Sequence, residues 1–408
     1  MTKRLYYHDA KLCEFTANII TRQDTERGPE VCLDETAFYP TSGGQPHDTG
    51  SLDSIPVIDV WEDEGEVWHL LERMPDNDRV TGKVDWGRRF DHTQQHTGQH
   101  LLSAAFVREL NAQTISFHLG SDISTIDLDI PDLTWEAAFQ VEEAANQIIW
   151  EDRPVAVHIA TSDELANIPL RKPPQVTGKI RIIWVEDYDA SACGGTHVGR
   201  TGEIGAIKIT AIERYKGGVR VSFLCGQRAL HDHRRALRSI QQASADLSVH
   251  QDELREAITR IQEEAKTSRR ELKQACGELM QIEADRLWES TPELDGVRRI
   301  AAHWVERSFA DVRAVASRLR ERPHTLLLLA VSEEKGVRIV CARSDDLVDL
   351  DAAAILRAAM EPLGGRGGGS ATMAQGGAGW HSHEAILETL SKAEGRGGCG
   401  LTTNEFAV

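Results

Sequence analysis

A chain of 408 residues exceeds the about 250–300 residues that one hydrophobic core can serve, so it must divide into several domains. Its formal net charge of −18 excludes a protein that coats nucleic acid indiscriminately, and any RNA binding needs a local basic face. Seven scattered cysteines, an odd number, exclude a disulfide framework and agree with reduced thiols. No apolar run reaches the roughly 20 residues of a membrane span. Lys3 and Arg4 open the chain without an apolar segment behind them, so a cytoplasmic protein with no membrane partner is expected.

Residues 1–90 read as a small β-barrel-like domain. Short apolar runs such as Val31-Cys32-Leu33, Val57-Ile58-Asp59-Val60-Trp61 and Glu66-Val67-Trp68-His69-Leu70 alternate with Gly, Asp and Pro turns. Within it lies Phe38-Tyr39-Pro40-Thr41-Ser42-Gly43-Gly44-Gln45-Pro46. Its glycine pair permits positive φ and close backbone approach. The stretch is therefore either a tight hairpin or a loop that presents N–H groups to a ligand.

Residues 91–228 read as an α+β domain. A helix is predicted over 91–110, with Asp91 as N-cap and Leu101, Leu102, Ala105, Phe106 and Leu110 on its apolar face. His96 and His100, four apart on that helix, share one face and can grip one ion; His92 and His96 satisfy the same spacing equally well. Strands follow over 115–120 and 124–130, then a helix over 133–152 with an acidic first turn. The strand 180–185 leads through Asp187, Tyr188 and Asp189 into Cys193-Gly194-Gly195-Thr196-His197. Imidazoles from a helix and a thiolate–imidazole pair from a distant turn form a donor set suited to Zn²⁺. The strands 204–212 and 218–225 carry Lys208, Arg214, Lys216, Arg220 and Arg228, which read as a solvated face or a phosphate-contacting one.

Residues 229–290 repeat apolar side chains in threes and fours, from Leu237 and Ile240 to Leu279 and Ile282, with Glu and Arg outside the seam. Ser248 and Gln251 suggest a capping box, so a helical hairpin or kinked pair is predicted, serving as spacer or dimerisation element. Residues 291–408 alternate strand and helix. Their Gly-dense segment 364–377 reads as a linker or as a loop shaped for a polar ligand.

Four stretches in this order resemble the alanyl-tRNA editing family, the freestanding AlaX-type proteins and the editing half of alanyl-tRNA synthetase. They are Phe38-Tyr39-Pro40-Thr41-Ser42-Gly43-Gly44-Gln45, His96-Thr97-Gly98-Gln99-His100-Leu101-Leu102, Cys193-Gly194-Gly195-Thr196-His197-Val198, and the Gly-rich segment ending Met373-Ala374-Gln375-Gly376-Gly377. The last is similar to the DHH-associated domain that ends the long AlaX forms. The resemblance implies that His96, His100, Cys193 and His197 bind Zn²⁺ and that His92 stands outside the site.

It also implies hydrolysis of serine, and of glycine, from the tRNA for alanine, without amino-acid activation, since no stretch resembles a synthetase core. A polar group that bonds the seryl hydroxyl would spare alanine. His118, Gln45 and Thr41 are the candidate catalytic residues, with Gly43, Gly44 and Asp189 around the substrate. A homodimer through the helical region or the C-terminal domain is a further expectation. Competing readings are an editor of seryl-tRNA for threonine and a tRNA-binding protein with a closed, structural zinc.

Overall fold

The computed structural model describes residues 1–165, 168–173, 178–305, 307–334 and 336–393; Cys399 lies outside them. The fold is α+β and divides into two compact units, 1–248 and 249–408, the dividing point falling within the 229–290 segment. No described helix is long and apolar enough to cross a membrane.

The first unit begins with a closed barrel of strands Glu14–Thr25, Gly28–Leu33, Glu66–Leu71, Ile55–Asp63, Gly50–Leu52 and Arg79–Val84, in that order around the ring. Alternation fills it: Phe15, Ala17, Val31, Leu33, Val57, Val60 and Val80 are buried and share one core. Phe38 to Gln45 leaves this barrel as a tight hairpin. Ser42 N and Gln45 N each bond the other's carbonyl, at 3.1 and 2.9 Å, and Gly43 and Gly44 take φ of 52° and 80°. Two successive positive φ values are the geometry of a type I′ turn, which glycine adopts without strain.

The helix α1 spans Trp86–Leu110 and starts earlier than Asp91. Its N-cap is Asp85, which accepts from Arg88 N; Asp91 instead pairs with Arg228, Nε to Oδ1 at 2.8 Å. α1 packs with α2 (Trp135–Trp150), capped by Thr134, on a four-stranded antiparallel sheet ordered 207–215, 218–225, 124–128, 114–119. A second sheet, 155–160, 180–185 and 189–192, delivers Cys193 from its last strand. The basic stretch is largely paired within the protein: Lys208 with Glu142 at 2.9 Å, Arg220 with Asp127 at 2.7 Å and Arg228 with Asp91 at 2.5 Å. That pairing weakens the phosphate-contacting reading of these three cations.

Two contacts fix α1. Arg89 and Asp48 are both fully buried, Nε to Oδ2 at 3.0 Å, and Arg89 also donates to the Ala10 and Ala37 carbonyls. Asp48 in turn accepts from Tyr39 N at 2.7 Å, so the pair locks the Phe38–Gln45 hairpin to the helix. On the other side, a Cβ at Gly98 would stand 2.2 Å from Cys225 Sγ. Gly98→Ala therefore forces helix and strand apart and is expected to lower stability by about 1–3 kcal/mol, read as a fall in melting temperature.

The helical segment holds two helices, Gly226–Leu247 and Leu254–Ser290, one in each unit. Ser248 ends the first in a left-handed C-cap with φ 52°, and the capping box is His250 with Glu253 rather than Ser248 with Gln251. In the second unit a six-stranded sheet has helix 309–319 on one face and helices 352–360 and 383–393 on the other. The Gly-dense segment is not a loop. It forms the edge hairpin Arg366–Gly369 and Met373–Ala378 of this sheet. A Cβ at Gly365 or Gly367 would meet Met360 Cε at 2.3 Å or Leu356 Cδ2 at 2.8 Å, so helix 352–360 lies too close for side chains there.

Candidate metal centre

His96, His100, Cys193 and His197 converge, their donor atoms all within 4.8 Å of one another. The helical spacing of α1 supplies the first two. The second two come from the turn after strand 189–192, where a Cβ at Gly195 would stand 2.1 Å from His96 Cε1. Arg181 holds that turn by donating to the Cys193 and Gly195 carbonyls at 2.8 and 2.9 Å. His92, also buried, lies outside the cluster, and burial pushes its pKa down to about 4.

Hydrogen bonds fix which nitrogen His96 and His197 present. Gln45 Oε1 accepts from Thr196 N at 3.2 Å, which sets the amide orientation, and so it also accepts from His96 Nδ1–H at 2.7 Å. Thr97 Oγ1 donates to the Thr93 carbonyl at 2.9 Å and therefore accepts from His197 Nδ1–H at 3.2 Å. Asp189 Oδ2 lies 3.7 Å from His100 Nδ1 and is itself held by Ser191 and Arg171. His96 and His197 thus present bare Nε2 atoms, each 3.3 Å from Cys193 Sγ. Metal–nitrogen and metal–sulfur bonds of about 2.0 and 2.3 Å at a tetrahedral angle place N and S roughly 3.5 Å apart, so the spacing fits Zn²⁺.

The electrostatics agree. Burial opposes ionisation of Cys193, but the His96 and His197 imidazoles hold its thiol well below the usual range. Burial pushes His197 down to about 3, keeping it neutral as a ligand must be. Burial also opposes charge on His100, yet Asp189 and Cys193 together outweigh it and raise that pKa.

Beside the cluster lies a cavity of about 70 Å³ whose walls include Tyr6, Tyr7, Tyr39, Gly43, His96 and Cys193.

The family "Threonyl and Alanyl tRNA synthetase second additional domain" matches residues 180–222, which contain Cys193 and His197, and the DHHA1 domain matches 299–394. The alanyl-tRNA editing protein AlaX-L of Pyrococcus horikoshii is 30% identical over 92% of this chain and 94% of its own length. This chain belongs to the alanyl-tRNA editing protein family. The alanyl-tRNA editing protein Aarsd1-B of Xenopus laevis is also 30% identical, over 90% of this chain and 89% of that one. The alanine–tRNA ligase of Pyrococcus abyssi is 33% identical over 92% of this chain, but the chain spans only 42% of the ligase.

The editing-family resemblance named further residues, and the structure separates them. Gln45 is fully buried and holds His96 and Thr196, Nε2 donating to Thr196 Oγ1 at 2.8 Å, so it positions a ligand. Asp189 faces His100 Nδ1 at 3.7 Å, a charge contact rather than a hydrogen bond. Gly43 lines the cavity, whereas Gly44 packs on Phe117, which a Cβ there would meet at 2.9 Å. Thr41 is exposed and its hydroxyl is engaged by His47, at 3.2 Å from N and 3.1 Å from Nδ1. His118 is not brought to the cluster: Phe117 packs 5.7 Å from His96, and strand alternation turns the exposed His118 the other way.

Thr97, Thr196 and Arg181 escaped sequence reasoning. The one signal for them was an arginine inside the apolar run 180–185 and threonines inside both ligand motifs. Removing the outer shell gives a direct check. Gln45→Ala is expected to weaken zinc retention by roughly 10–100-fold, measured by competition with a chromogenic chelator.

Proposed function

We propose that the protein is a zinc-dependent hydrolase that removes wrongly attached serine, and glycine, from the tRNA for alanine. The observation that carries this reading is the four-donor cluster whose His96 and Cys193 form one wall of a small cavity. A purely structural zinc needs no such opening, so the cavity favours a substrate-handling site over the structural alternative. The cavity, of about 70 Å³, adjoins the cluster at His96 and Cys193. A synthetase pocket built for alanine rejects glycine and serine weakly, which is why a second site has to sort the products.

His96, His100, Cys193 and His197 would hold Zn²⁺, which when bound supplies Lewis-acid polarisation and orientation of the ester. Gln45 and Thr97 keep the His96 and His197 imidazoles aimed, and the Ser42–Gln45 hairpin carries Gly43 to the cavity wall. Four protein donors would fill the tetrahedral set of a closed zinc site, and the exposed His118 lies on the strand face away from the cluster. A hydroxyl of the tRNA's terminal ribose is the base this reading is left with.

The match to a DHHA1 domain and the AlaX-L relative support the alanine tRNA over the threonine tRNA as partner. Ile258, Ile261, Leu272 and Leu279 stand exposed on the helix Leu254–Ser290, which supports pairing with a second copy. Release of serine from Ser-tRNA for alanine, with Ala-tRNA left intact, tests the reading.

A further inference from the structure

Of the three tyrosine hydroxyls around the cavity, the fold leaves one unused. The Tyr7 hydroxyl accepts from Arg4 at 2.7 Å, and Arg4 is held by Glu62 at 2.6 Å. The Tyr39 hydroxyl donates to the Ser42 carbonyl at 3.1 Å. Tyr6 is different. It is only 1% exposed and lines the cavity, yet among the described residues its hydroxyl has no hydrogen-bond partner. Its ring is gripped edge-on by Tyr7 and Tyr39, with centroids at 5.1 and 5.3 Å, so the hydroxyl has a fixed place. A phenol hydroxyl that opens onto a cavity without a protein partner is free to bond a ligand there. Burial pushes its pKa upward, which keeps the proton in place and lets the group both donate and accept.

We propose that Tyr6 is the specificity-determining residue of this pocket, its hydroxyl hydrogen-bonding the side-chain hydroxyl of a seryl group held beside His96 and Cys193. The inference rests on the editing function proposed above and names how the site tells serine from alanine. The cavity of about 70 Å³ opens beside His96 and Cys193, where a hydroxymethyl group can enter. A seryl side chain satisfies Tyr6. An alanyl methyl in the same place leaves the hydroxyl buried without a partner, at a cost of roughly tenfold or more in binding. A glycyl group leaves the space open for water to serve Tyr6, so glycine is tolerated where alanine is not.

The test uses the zinc-loaded full chain and two non-hydrolysable probes, 3′-serylamino- and 3′-alanylamino-3′-deoxyadenosine, with binding measured by calorimetry. Wild type is expected to prefer the seryl probe by roughly tenfold or more. Tyr6→Phe keeps the ring and its packing, and is expected to abolish that preference while zinc content and melting temperature stay unchanged. A preference that survives in Tyr6→Phe overturns the inference, as does a parallel loss of both probes, which would mean that Tyr6 touches a group common to them. Wild-type protein that binds neither probe contradicts the editing function itself, and so is a distinct outcome.

Discussion

Cys193→Ala protein is expected to lose its zinc on mild chelation and, with it, measurable deacylation. Cys193 is the only thiolate of the four donors, and both Nε2 atoms 3.3 Å away are aimed at the same point as its sulfur. Zinc bound by four protein ligands contributes about 10–16 kcal/mol, so one donor of four accounts for about 2.5–4 kcal/mol, or roughly 100–1,000-fold in affinity. The variant also leaves imidazole lone pairs facing one another in a buried space with no anion to balance an ion. Metal content after dialysis against a chelator checks the claim. Stoichiometric zinc in Cys193→Ala would show that the three histidines suffice.

Asp48→Asn is expected to be the most destabilising single exchange away from the metal, by about 3–5 kcal/mol. Arg89 is fully buried, and among the described residues Asp48 is the one carboxylate on its guanidinium; without that charge the cation stays in the interior uncompensated. The damage does not stop at stability. Asp48 also anchors Tyr39 N, and the hairpin that begins there carries Gln45 to His96. Zinc retention should therefore fall along with the denaturation midpoint, although neither residue touches the metal. A denaturant titration paired with zinc analysis measures both. A stable variant that retains zinc would show that the pair does not lock the hairpin to the helix.

How much of this was legible in the sequence depended on the range of the interaction. Each half of the cluster is a local spacing legible by itself, but that His96 pairs with His100 rather than with His92 came from the family resemblance, not from the spacing. The ligands' outer partners were not readable as such. Gln45 reaches His96 across 51 positions only because the barrel hairpin docks on α1, and that docking rests on the Arg89–Asp48 pair. Asp91 looked like a cap because an aspartate before an apolar run is one; its pairing with Arg228, 137 positions later, decided otherwise and left the role to Asp85.

The glycine-rich segment misled for a similar reason. Glycine disfavours strands in general, but here Met360 and Leu356 press so closely that only glycine fits Gly365 and Gly367. For His118 the strand was evident and its alternation too, yet which face meets the cluster became known only through Phe117. Tyr6 carried no signal at all, since nothing in Leu5-Tyr6-Tyr7 distinguishes a tyrosine that packs from one whose hydroxyl is kept free.

The central claim is that the cluster and its cavity remove a small, wrong amino acid from tRNA and leave the right one. Zinc-loaded protein incubated with the tRNA for alanine, charged in parallel with serine, glycine or alanine, tests it most directly. The expected result is release of serine, and of glycine, with Ala-tRNA persisting as in buffer. No release of serine above buffer, or release of alanine as fast as serine, would contradict it.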